Sequence, residues 1–408
     1  MQKGSVMKIW IENVRVYRGL EGFRPGRVLI EGDRIAQVDT EGGMSGQEKP
    51  EAERPGKQKP DIGMPDGSGT FLRRIDGAGK YLIPGLVDCH LHGAGGYDLG
   101  MATEAALKGI ADYELSCGVT TICPTVMTSD TDTYRRTAAL IRKWEDDTVA
   151  GFRTEGPFLA PTRCGSQKAE YFRLPDVGWY EELQEWSGHR LRILDIAPEL
   201  PGAAELITHI SGGEDCIASI AHTDASYEAA RQAIAAGAVH ATHLHNAMPA
   251  YHHREPGVAG AVYDSDTCVA ELITDGIHLH PAVVRNAYRL LGAERIVLVS
   301  DSMMATGTDA VTASLGEQKV LIHGRRACLA DGTIAASVSN LAECVRTAIV
   351  DMNIAPAEAI YSATATPAAA LGMAGRVGRI APGFAADLVL MNEGWTVDWV
   401  MKRGKSVT

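Results

Sequence analysis

His90 and His92, in the string PGLVDCHLHG, are the first residues along the chain whose type and spacing carry chemistry. Residues two apart on an extended segment face the same side, so both imidazoles can be aimed at one metal ion. An HxH pair also arises by chance in a turn, and alone it decides nothing. Glu155 closes the apolar run VAGFRTE. A carboxylate there is costly to bury without a partner, and facing a shared cavity it would be a hard anionic ligand. The competing reading is a surface Glu before a Gly-Pro turn. His222 ends CIASIAH, and His243 lies in AVHATHLHNAM. Each alone reads as a hydrogen-bonded core histidine. With His90, His92 and Glu155 they form a convergent set, and imidazole is the commonest metal ligand. His240 and His245 share strand parity poorly with one site and are read as structural. Asp301 ends IVLVSD, where it could ligate a metal or take a proton from water and pass it on. His278, in ITDGIHLH, lies past a strand end. Substrate contact and the start of a helix suit it equally. The chain has no GxSxG, no P-loop and no GxGxxG after a strand. GAGG at 93–96 is read as a loop shaping the wall of the metal site.

The elements that must position these residues follow a regular rhythm. Short apolar runs, GLVDCH, VTTICPT, VAGFRTE, LRILDIA, CIASIAH, AVHATH, CVAELITD and IVLVSD, alternate with helical stretches such as TEAALKGIADYELSCG and SYEAARQAIAAG. Alternating strand and helix implies a parallel sheet. An open doubly wound sheet is the rival. A (β/α)8 barrel of the TIM type is preferred, because polar residues recur at so many strand C-termini and a barrel brings those ends to one mouth. Residues 7–39 and the stretch after 375 read as short strands, with Gly32-Asp33 as a hairpin signal. The expected domains are therefore a small β-sandwich-like unit from 1–84 and 375–408, and a barrel from 85–374 that carries the candidate metal ligands. Residues 41–70, rich in Gly, Pro and charge, are expected to be an exposed, mobile loop peripheral to catalysis.

Composition bounds the partners. Of 408 residues, 39 are Lys or Arg and 51 are Asp or Glu, a net charge of -12. That field repels nucleic acid and anionic membranes, so neither is an expected partner. No run approaches the roughly 20 apolar residues of a membrane span, and the first residues lack the pattern of a signal peptide. The 8 Cys are scattered without a CxxC, which reads as free thiols in a cytoplasmic protein.

The order HxH, Glu, His, His, Asp along eight strands resembles the amidohydrolase superfamily. The strings TEGPFLAP, AHTDAS, THLHNAMPAYHHREPGVAGAV, ITDGIHLH, VSDSMMATG and GRIAPGFAADLVLMN are similar, over nearly the whole chain, to its N-acetylglucosamine-6-phosphate deacetylase family. The resemblance implies hydrolysis of the N-acetyl amide of an amino-sugar phosphate by a metal-activated water. Its metal ligands would be His90, His92, Glu155, His222 and His243, with Asp301 as catalytic acid and base at the metal. His278 would contact substrate near the amide. Asn246 and Ala247 would contact the sugar phosphate, and Arg254 would reach the phosphate in the partner's site of a homodimer. The metal would be Zn or Fe, one or two per subunit. Gln167 stands where the family places a sugar-contacting His, which leaves the hexosamine epimer, glucosamine or galactosamine, open. SVSNL at 337–341 also departs from the family string. Rival readings are another N-acyl amidohydrolase and a non-catalytic sugar-phosphate sensor. The first is weakened because ILDIAPE offers no Lys to bridge two metals. The second is weakened because all six candidate residues are present.

Overall fold

The computed structural model describes residues 7–41 and 72–407. Apart from Glu41, the expected 41–70 loop lies outside the described residues. Each apolar run of the middle region becomes a strand. Thr125–Met127, Phe152–Phe158, Leu191–Ile196, Ile217–Ile220, His240–Ala241, Val269–Ile273 and Ile296–Val299 pair in that order, all parallel. Phe152–Phe158 and Ile296–Val299 are buried at every position, as parallel strands covered on both faces must be.

The second run is split. Val119–Ile122 pairs with Leu86–Asp88, and the chain resumes pairing at Thr125. Pro124, which lacks an N–H, sits in the gap. The last strand returns to the first, since the Asp301 N–H donates to the His90 carbonyl at 2.9 Å. The molecule is an α/β barrel. Its helices begin just past the strand ends on capping side chains: Thr103 for Glu104–Ser116, Asp130 for Thr131–Lys143, Asp176 for Val177–Ser187 and Ser226 for Tyr227–Ala235. Each cap accepts an otherwise unpaired N–H of the first turn, which fixes where the loop stops and the helix starts.

The two chain ends share one sheet of eight strands. Leu388–Met391 pairs with Tyr81–Pro84, which pairs with Lys8–Tyr17. Phe23–Glu31 and Arg34–Thr40 form the expected hairpin, with Gly32 at φ 63° in its turn. A further sheet, antiparallel throughout, was not foreseen: Thr312–Leu315, Gln318–His323, Arg326–Cys328 and Ile334–Ser337. Leu315, Val320 and Ala336 pack with Met127 and Met303, which seats this sheet at the barrel mouth. All eight cysteines are free, as expected, and six are buried. No described helix is long and apolar enough to cross a membrane.

Candidate active site and metal centre

At the strand C-termini the backbone takes unusual turns. His222, His243, Asp301 and Ala247 have φ of 41°, 29°, 50° and 50°. This left-handed region costs a residue with a Cβ roughly 1–2 kcal/mol, and such strain gathers at functional sites. Three of the candidate ligands sit at these turns, and the side chains of two, His222 and His243, meet Glu155 of strand Phe152–Phe158.

The six side chains meet. Glu155 Oε1 lies 2.9 Å from His222 Nε2, 3.0 Å from His243 Nε2 and 3.6 Å from His90 Nε2. Glu155 Oε2 lies 3.2 Å from His92 Nε2. Asp301 Oδ1 is 3.2 Å from His92 Nε2 and 3.5 Å from His90 Nε2. Two triads therefore share one space: His90, His92 and Asp301, beside Glu155, His222 and His243. All six are buried.

In three of the four histidines the far ring nitrogen is tied down by an acceptor; His243 Nδ1 is buried without a partner among the described residues. His90 Nδ1 is 2.9 Å from Glu271 Oε2, His92 Nδ1 is 3.2 Å from the Thr125 carbonyl, and His222 Nδ1 is 2.9 Å from the Arg163 carbonyl. An acceptor there puts the proton on Nδ1, so Nε2 presents its lone pair inward, the arrangement of a metal-ligating histidine. A divalent cation fits this donor set. His222 and His243 hold their Nε2 atoms 3.2 Å apart, a separation at which two lone pairs need a positive charge between or beside them. His90 Nε2 is buried with no hydrogen-bond partner among the described residues.

In the ion-free chain the surroundings favour positive charge on the imidazoles, which protons carry and a bound cation would replace. Burial pushes Glu155 up, but His222, His243 and His92 outweigh it and hold the carboxyl well below the usual range. Asp301 is likewise raised by burial yet held lower by His90 and His92. Burial would lower His92, but Asp301 and Glu155 take it to about 10. Glu155 similarly takes His243 to about 9. The site is built to hold positive charge.

A cavity of about 350 Å³ opens over this cluster. His278, Asn246, Ala247, Ser166 and Ala335 contribute to its walls. His278 Nδ1 is 2.9 Å from Asp275 Oδ2, and Asp275 also accepts from the backbone N–H groups of Ile277 and His278. The His278 ring is thereby oriented with Nε2 left for the cavity. Asn246 Nδ2 donates to the His243 carbonyl at 3.1 Å. SVSNL runs past Asp301, whose carbonyl accepts from Ser337 N–H at 2.8 Å.

Two sequence candidates sit apart from the cavity wall. Gln167 lies behind Glu155: its Nε2 donates to Glu155 Oε2 at 2.5 Å and its Oε1 accepts from Thr128 N–H at 2.9 Å. Arg254 is exposed on an adjoining surface pocket, shared with His252 and Asp224, that meets the cavity at Arg163. His240 and His245 turn to Ser219 and Tyr263. Sequence reasoning missed Arg163 and Ser166, which line the cavity, and the buried charges Arg153, Asp195 and Glu271. The signal for these last was present: each is a charge inside an apolar strand.

The amidohydrolase family model matches residues 81–407. The N-acetylglucosamine-6-phosphate deacetylase of Bacillus subtilis (strain 168) is 35% identical over 79% of this chain and 83% of that relative. The N-acetylgalactosamine-6-phosphate deacetylase of Escherichia coli O157:H7 is 32% identical over 80% of this chain and 87% of that relative. Among solved structures, a variant of N-acetyl-D-glucosamine-6-phosphate deacetylase from Mycobacterium smegmatis in complex with N-acetyl-D-glucosamine-6-phosphate superposes with a TM-score of 0.86. It shares 29% identity, with 99% of this chain and 100% of that chain covered.

Proposed function

The chain belongs to the amidohydrolase family, and from that premise we propose how its residues carry out the reaction. It is a metal-dependent hydrolase that converts N-acetylglucosamine-6-phosphate to glucosamine-6-phosphate and acetate. The observation that carries this reading is the convergence of His90, His92, Glu155, His222, His243 and Asp301 at the floor of one cavity. These residues would hold one or two divalent ions. Imidazole and carboxylate donors suit Zn and Fe alike. A cation bound there supplies Lewis acidity and brings the pKa of a water toward about 7.

The chain's own groups supply the rest. Asp301 takes the proton of the attacking water and delivers it to the departing amine. His278, braced by Asp275, donates from Nε2 to the amide oxygen as charge builds on it. Asn246 and Ala247 meet the sugar phosphate, and Arg254 reaches that phosphate from the second subunit of a homodimer. A phosphate held far from the amide fixes the pose of the scissile bond, and the planar guanidinium fork matches its oxygens. Gln167 acts from behind Glu155, steadying the carboxylate that four imidazoles surround. The hydrolase barrel is taken as 85–374, with 1–84 and 375–408 as a supporting β-domain, in a cytoplasmic enzyme whose free thiols suit a reducing compartment.

The test is acetate release by metal-replete protein from N-acetylglucosamine-6-phosphate, beside the unphosphorylated sugar and the galactosamine epimer. A strong preference for the first is expected. No turnover of any of them would remove the deacetylase reading.

A further inference from the structure

Barrel interiors are commonly filled by branched apolar side chains. Beneath this metal cluster the interior is charged instead. Arg153 lies two residues before Glu155 on the same strand and so faces the same way. It is fully buried. Its Nη2 donates at 2.9 Å to both oxygens of Asp195 and at 2.7 Å to Thr242 Oγ1. Its Nη1 donates to Glu271 Oε1. Glu271, also fully buried, spends its other oxygen on the metal cluster: Oε2 accepts from His90 Nδ1–H at 2.9 Å and from the His243 backbone N–H at 3.1 Å.

That single oxygen therefore touches one residue of each triad. His90 belongs with His92 and Asp301, and His243 with Glu155 and His222. The contact to His243 falls at a backbone turned to φ 29°, where an ordered acceptor offsets an unfavourable conformation. Stability alone gives no reason for this arrangement, because well-packed apolar residues commonly do as well as a buried ion pair. A carboxylate on Nδ1 does have a consequence at the other nitrogen: it fixes the tautomer and raises the basicity of Nε2. The same geometry closes a rival possibility. Cys89, His240 and Glu271 stand close enough to hold an ion of their own, but the Arg153 guanidinium already takes the Glu271 oxygen that faces them.

We propose that Glu271, held by Arg153, is a positioning residue of the metal centre: it orients His90 through Nδ1, pins the His243 backbone, and so ties the two halves of the ligand set together. The inference rests on the metal-centre reading above and adds to it a residue that touches neither metal nor substrate.

The experiment compares wild-type protein with Glu271→Gln and Glu271→Asp. Each is stripped by chelation and titrated with Zn2+ by calorimetry, then loaded with Co2+ for its visible spectrum. Glu271→Gln should weaken Zn2+ binding by about 10–100-fold and shift the Co2+ spectrum, with the melting temperature of the stripped protein near that of wild type. Glu271→Asp keeps the charge opposite Arg153 but withdraws the oxygen from His90 by one methylene. It should not restore the affinity. Full restoration by Asp would mean that Glu271 only neutralises Arg153, and the proposal would be wrong. Wild-type affinity and spectrum in Glu271→Gln would overturn it too, as would failure of both variants to fold. If wild-type protein itself takes up no Zn2+, the metal-centre reading falls and this inference with it.

Discussion

Glu155 and Asp301 are buried carboxylates facing the same imidazoles, and their surroundings give them different work. Both oxygens of Glu155 are spent on His222, His243, His92 and Gln167, which suits a fixed ligand. Among the described residues the Asp301 carboxylate pairs only with His90 and His92, from the wall of the cavity, which suits a group that accepts and returns a proton. Asp301→Asn should therefore retain most of its metal and lose about 10²–10⁴-fold in kcat. Metal content by elemental analysis beside turnover is the check, and metal loss as the sole defect would count against the proton-transfer role. Gln167 leads to a different expectation. Its amide is committed to Glu155 and Thr128, so Gln167→Ala should weaken metal binding by about 10-fold while leaving the ratio of kcat/KM between the two epimers unchanged. A changed ratio would return Gln167 to the sugar. The six residues that meet at the site were legible in the sequence as candidates because each closes or follows an apolar run, where an abrupt polar residue marks a strand end. Glu271 and Arg153 left a signal as well, a charge inside an apolar run, but a residue string does not say what such a charge pairs with in a barrel interior. Gln167 was found by its place in a motif, but spacing does not reveal which way a loop side chain turns.

The elements divide by the kind of signal they leave. The barrel strands were readable because parallel strands buried on both faces are short apolar runs, and CVAELITD and IVLVSD appear at Val269–Ile273 and Ile296–Val299. The sheet from Thr312 to Ser337 was overlooked because its exposed face breaks the run into alternation. Gly316 and Gly324, at φ 54° and 60° in the first two of its three turns, were the available hairpin marks. Helix Glu104–Ser116 carries a feature that patterning passes over. Glu114 is fully buried on it, and neither carboxyl oxygen has a hydrogen-bond partner among the described residues. Burial, with Asp88 and Glu343 adding to it, raises this carboxyl well above its ordinary value. The folded chain therefore keeps a proton that the unfolded chain releases above about pH 4.5. Stability is lost as pH rises from there toward the folded value. Glu114→Gln removes the titration and keeps the shape. Its advantage over wild type should be small at pH 4.5 and widen by up to about 1.4 kcal/mol per pH unit above it. Thermal melts of both proteins between pH 4.5 and 8 test this. A gap that does not change with pH would mean that Glu114 is ionised in the fold.

At the scale of the whole molecule the question is whether one chain holds a complete site. Arg254, proposed to meet the substrate, faces a neighbouring surface pocket instead of the cavity over the candidate metal ligands. If it serves the phosphate of a partner subunit, as the proposed homodimer requires, Arg254→Ala alone should raise KM for the phosphorylated sugar. It should leave turnover of the unphosphorylated sugar little changed. A sharper prediction comes from mixing subunits. An Arg254→Ala chain keeps Asp301 but lends no arginine, and an Asp301→Asn chain lends its arginine but cannot move the proton. In a mixed dimer the site built on the first chain receives the second chain's Arg254 and is whole, while the other site carries both defects. With random pairing, half the dimers are mixed and each has one whole site, so activity at low substrate should recover to about a quarter of wild type. If Arg254 instead folds back over its own cavity, every site in every dimer keeps one defect, and mixing yields no more than the average of the two variants. The two geometries therefore separate on a rate measurement at subsaturating substrate, with a sedimentation run on the same samples to establish that dimers are present.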